Sequence, residues 1–141
     1  MASAACSPNQ PDAAPVQASL TAVSAVAMPC RCGPERTCEP CAPQYLVDTS
    51  LRLSSISGAA VAVTSFSAEL LDARGNRVAS PQSWAVPVVP FSVAAGGSDM
   101  PLSFITPSGA EVFGGTVRVV LAGTDEHGAH WDLTVSATVP R

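Results

Sequence analysis

The segment "HWDLTVSATV", residues 130–139, places Trp131, Leu133, Val135, Ala137 and Val139 in strict alternation with Asp132, Thr134, Ser136 and Thr138. Successive side chains of an extended chain point to opposite faces, so this period of two predicts a half-buried β-strand and excludes an amphipathic helix. A strand with one apolar face is not stable alone; it needs strands beside it and a second layer over it. The neighbour lies just upstream. "TVRVVLAG" carries Val117, Val119 and Leu121 on one face, and the intervening "TDEHGA" supplies the Asp, Gly and short polar residues of a tight reversal, so residues 116–139 are predicted to form a hairpin.

The same reasoning extends toward the N-terminus. "VAVTSFSAELLD" has Phe66, Ala68 and Leu70 in one alternation and Val61 and Val63 in the opposite one, which predicts a bulge or edge switch near Thr64 and Ser65. "DARGNR" then turns the chain. Further short strands are predicted at residues 45–53, 84–89, 91–94 and 102–105, with Pro87 and Pro90 pushing the one at Trp84 toward a sheet edge. About seven strands, each with one apolar face, are most economically satisfied by an all-β, two-sheet antiparallel sandwich. Trp84, Trp131, Phe66 and Phe104 are expected as core anchors, with exposure at a partner surface as the alternative.

Composition agrees. Of 141 residues, 47% are apolar but only 5% aromatic, and 13 Pro and 10 Gly punctuate the chain, a mix suited to strands and turns. The net charge is −4 and the basic residues are all Arg, so there is no basic face to follow a phosphate backbone and nucleic-acid binding is disfavoured. The apolar stretch at residues 16–28 is interrupted by Gln, Ser and Thr and falls short of the roughly 20 residues of a membrane-spanning helix.

Four of the five cysteines crowd into "PCRCGPERTCEPC" as Cys30, Cys32, Cys38 and Cys41, with prolines that forbid a long helix there. Short-spaced thiols at two chain reversals have the geometry of a closed structural zinc site, and less so of an iron–sulfur cluster. In an oxidising compartment the same thiols form two disulfides with three connectivities open, and closing a loop of about ten residues contributes on the order of 2–3 kcal/mol. The disulfide reading implies no cofactor. The C-x-C then C-x-x-C order is similar to the zinc-holding motif of the redox-regulated heat-shock chaperone, although the spacer "GPERT" is far shorter here. His127 and His130 flank the "TDEHGA" turn beside Asp125 and Glu126; they are either a weak surface metal site or solvated turn residues. No nucleophile elbow or phosphate-binding loop is present in the sequence, and a non-enzymatic role is expected.

Residues Ala4, Ala5 and Cys6, followed by the Pro- and Ala-rich "SPNQPDAAPVQAS", resemble the lipobox and linker of bacterial lipoproteins, with the hydrophobic part missing. That resemblance implies diacylglycerol on Cys6 and a domain held at a membrane surface. A second option is a secretory segment at residues 20–27 cleaved after Ala27. The order of elements from residue 43 to 140 looks like the immunoglobulin-like sandwich domains of bacterial envelope lipoproteins, without the Cys, Trp, Cys spacing of true immunoglobulin domains. The expectation is therefore a tail at residues 1–27, an irregular Cys-rich loop at 28–43 and a sandwich at 44–141. Its expected role is as an extracytoplasmic accessory or binding module, lipid-tethered and docked to a protein partner in a larger envelope complex. The alternatives are a metal or redox protein built on the Cys tetrad and a decoration module of a particle or virion, cytoplasmic if the sequence starts at the native N-terminus.

Overall fold

The computed structural model describes residues 14–28 and 42–141. Among the described residues eight strands build two antiparallel sheets: β1 Val16–Met28, β2 Gln44–Ser55, β3 Val61–Leu71, β4 Arg77–Ala79, β5 Phe91–Val93, β6 Ser98–Ile105, β7 Thr116–Thr124 and β8 His130–Thr138. The order in one sheet is β1-β2-β6; the other runs β4-β3-β7-β8, with β5 sharing the β4 side of β3. This is the all-β sandwich expected from the alternation. Among the described residues no helix is long and apolar enough to cross a membrane.

Each layer contributes the inward row of its strands. Val47, Leu51 and Leu53 of β2 and Leu102 and Phe104 of β6 meet Val61, Val63 and Leu70 of β3 and Val117, Val119 and Leu121 of β7, all essentially sealed from solvent. The opposite alternations of β3 are reconciled as expected: the register with β7 shifts between Val63 and Ser65, so both apolar sets face the core. The β7–β8 hairpin runs from Thr116↔Thr138 to Thr124↔His130 without a shift. At its tip the Asp125 carboxylate accepts from the backbone N–H groups of His127 and Ala129, both at 2.8 Å, which is the local turn chemistry that Asp supplies.

Two expectations change. Val16–Met28, expected as tail to residue 27 and as the start of the Cys-rich loop at 28, is the edge strand β1, paired with β2 from Val16↔Ser55 to Met28↔Gln44. Its alternation was masked by small residues and by a bulge: the register shifts between Thr21 and Ser24, and Ala22 sits there with φ of 54°. The inward Thr49 hydroxyl secures the bulge by donating to the Thr21 carbonyl at 2.8 Å. An L-residue in the left-handed region carries roughly 1–2 kcal/mol of steric cost that glycine avoids, partly offset by glycine's freer unfolded chain. Ala22→Gly is therefore expected to raise unfolding stability by about 0.5 kcal/mol and the β-branched Ala22→Val to lower it by more than about 1 kcal/mol, measured by urea denaturation.

The second change concerns residues 84–89, expected as a strand. Instead Ser83–Ala85 form one turn of 3-10 helix, closed by Ala85 N–H to the Gln82 carbonyl at 2.9 Å and Val86 N–H to the Ser83 carbonyl at 3.3 Å. Pro87 and Pro90 lack the donors that a ladder through this stretch would need.

Candidate functional site

The 3-10 turn belongs to a strap, residues 80–90, that leaves β4 in one sheet, touches the edge of β6 in the other and returns to β5. Its anchor on β6 is a bridge between Pro81 and Phe104 and a 2.7 Å bond from Gln82 N–H to the Ser103 carbonyl. Ala85 points into the protein and is buried. Turning Ala85 inward sends its neighbours outward: Trp84 is 67% exposed and Val88 86%, with Val86 and Val89 also exposed. Trp84 is thus not a core anchor, unlike Trp131 and Phe104, which are buried, and Phe66, which packs partly buried against the core. The chain is free of charge from Val78 to Ser98. A shallow groove of about 280 Å³ lined by Pro87, Val88, Phe91, Val93 and Met100 runs beside the strap. Exposed apolar side chains grouped in this way, without charge, have the composition of an interface core.

The residues singled out for chemistry lie elsewhere. Cys6, Cys30, Cys32, Cys38 and Cys41 fall outside the described residues; residues 29–43 join strand ends that are paired at Met28↔Gln44. His127 and His130 are exposed, and the His127 imidazole lies 3.7 Å from Glu126 Oε1. Among the described residues no three His, Cys, Asp or Glu side chains converge as metal ligands. The cross-strand ion pairs Arg52–Asp99, at 3.1 Å, and Arg118–Glu69 sit on outer sheet faces, where such pairs contribute little.

A second concavity, of about 440 Å³, lies between the β3–β4 turn and the loop before β7, with Asp72, Arg74, Glu111, Phe113 and Arg141 on its walls. The Asp72 carboxylate is held below the usual carboxylate range chiefly by the Asn76 backbone N–H, with the Arg74 N–H assisting. Those bonds, each 2.9 Å, close the turn. The carboxylate is committed to local structure in the same way as Asp125. Phe113, one of its lining residues, stacks edge-on against Tyr45, ring centres 5.1 Å apart.

The prolines of the strap are legible in the sequence; the exposure of Trp84 was expected there only as the alternative to a core position. The signal available was the uncharged, proline-spaced run "SPQSWAVPVVP", in which each proline deletes a ladder donor and leaves the intervening apolar residues without a strand to hold them inward.

No family model and no curated protein matches the sequence. The fold is similar to that of one solved structure, and a second superposes more weakly. The X-ray structure of SoR45, a target of the Northeast Structural Genomics Consortium, superposes with a TM-score of 0.60 at 10% identity, covering 90% of this chain and 87% of the other. A crystal structure of a protein described as ApaA from Bordetella pertussis, a target of the same consortium, gives 0.47 at 17% identity, covering 90% of this chain and 97% of that one. At these identities the first shows a shared fold and nothing further.

Proposed function

We propose that this chain is a non-enzymatic accessory module outside the cytoplasm, tethered to a membrane by lipid on Cys6, that docks onto a larger envelope protein assembly. The observation that supports docking is the exposure of Trp84 and Val88 on a strap pinned at both ends. A tryptophan presented on a fixed backbone loses little conformational freedom on binding, and Trp is the residue most enriched at binding hot spots. The partner that fits is a protein surface with an uncharged apolar pocket for the indole. The scaffold this reading assumes is the immunoglobulin-like sandwich of bacterial envelope lipoproteins.

The test is a photocrosslinking residue at Val88 in cells that make the protein. One envelope protein should be captured, and Trp84→Arg should abolish the capture. Because Trp84 is largely exposed, the variant should unfold within about 0.5 kcal/mol of the parent, which separates lost docking from lost folding. Cys6→Ser should move the protein from the membrane to the soluble fraction. Crosslinks to lipid alone, or none, would remove the docking surface, and unchanged fractionation of Cys6→Ser would remove the tether.

A second reading keeps the Cys tetrad as a metal or redox element. It is favoured by the pairing of Met28 with Gln44, which fastens both ends of the segment carrying Cys30, Cys32, Cys38 and Cys41. Bound zinc together with four thiols alkylatable only after chelation would support it; colourless protein with no free thiols would support paired disulfides instead.

A further inference from the structure

The two open sides of the sandwich are treated differently. On the strap side, Pro81, Pro87, Pro90 and Pro101 remove donors and residues 80–90 lie over the β6 edge. On the other side, β1 carries the Ala22 bulge, a device that spoils an edge for pairing. β8 has neither protection. It is nine residues long, free of proline and bulge, and among the described residues nothing pairs with its outer side.

The direction of its free backbone groups can be read from the hairpin. Val139 N–H bonds to the Gly115 carbonyl, and the Ala129 carbonyl accepts from Asp125 N–H. Backbone groups alternate in direction along a strand, and the register has no shift between these points, so the odd-numbered residues spend their bonds on β7. His130, Asp132, Thr134, Ser136 and Thr138 therefore present their N–H and C=O groups outward, and all five side chains are exposed.

We infer that β8 pairs antiparallel with β8 of a second copy of this chain, about a two-fold axis at Thr134, joining two sheets into one. The side chains select that occupant. In this register Thr134 faces Thr134, Asp132 faces Ser136 and His130 faces Thr138 of the second copy. Every outward pair can form a hydrogen bond, and no like charges meet. On the inner face Leu133 faces Val135, and Trp131 faces Ala137. Leu133, Val135 and Ala137 are only half-buried in the single copy, whereas Val117, Val119 and Leu121 on the adjacent strand are sealed. A strand alongside β8 extends the cover over that half-open row. Sliding the register by two residues at each chain to centre on Asp132 would set two carboxylates against each other, which disfavours that slip.

This interface is separate from the strap, so its test is independent of the docking proposal. The full-length chain, kept reduced so that intermolecular disulfides cannot mimic association, is examined by sedimentation over a range of concentrations. The expected result is a reversible monomer–dimer equilibrium. Ser136→Lys places an ammonium opposite Asp132 of the second copy twice per dimer and should tighten association about tenfold, whereas Ser136→Asp should weaken it about tenfold, with both shifts shrinking in high salt. Thr134→Pro removes an outward N–H that no bond among the described residues uses and should leave a folded monomer. If that variant misfolds, the opposed responses of the two Ser136 variants still decide the matter. A monomer at every concentration, or a dimer that responds to Trp84→Arg and not to the charge at position 136, overturns the inference.

Discussion

Gly123→Ala should be the most damaging single-methyl change in this protein, lowering unfolding stability by about 3 kcal/mol or more in urea denaturation. Gly123 lies in β7, between Val63 of β3 and Trp131 of β8. A Cβ there would stand 1.9 Å from the Ala62 carbonyl oxygen and 3.0 Å from Trp131 Cζ2. The first contact is with backbone at the β3 bulge and cannot be relieved by a rotamer change; the second is with a ring wedged in the core. The double variant with Trp131→Leu distinguishes them. Leucine makes room on the indole side but leaves the carbonyl where it is, so the pair should remain about as unstable as Gly123→Ala alone or worse. Full recovery in the double variant would show that the ring, not the backbone, sets the requirement for glycine. Trp131 is otherwise an imperfect core residue: among the described residues its buried Nε1–H has no acceptor.

Phe104→Ala should cost about 3–5 kcal/mol, the range for emptying a sealed aromatic site. Phe104 is fully buried, opposite Val47 on β2, and its backbone forms the bridge to Pro81. Its neighbour in sequence, Ile105, points outward and is 37% exposed. Ile105→Ala should therefore cost under about 1 kcal/mol although it deletes a side chain of comparable hydrophobicity. A similar loss at both positions would contradict the assignment of the two faces of β6. The Phe104 variant also loosens the site under the strap, so Trp84 fluorescence should report greater mobility of the indole even where the protein remains folded.

Much of the fold was legible because burial on one face imposes alternation. The β7–β8 hairpin and the bulge near Thr64 and Ser65 follow from that rule, whereas β6 buries Leu102, Ser103 and Phe104 in succession. The first strand was not legible: Ala18, Ala25 and Ala27 give weak contrast, and the bulge at Ala22 resets the phase midway. The strap was half legible. Its prolines and lack of charge were visible in the chain, but the direction of Trp84 follows from Ala85 turning inward over the edge of β6.

Alternation of apolar and polar residues and turn chemistry at Asp72 and Asp125 are properties of short stretches, and the amino-acid order alone determines them. Where the alternation is unbroken, as in β7 and β8, strand existence and strand face belong to this class because each is set by residues within two or three positions. Which strands stand at edges, which edge is bulged and which is open, and whether a tryptophan lies under or over its backbone were decided by contacts between residues far apart in the chain. Those contacts depend on the area that one sheet can cover on the other, a quantity that no local pattern contains.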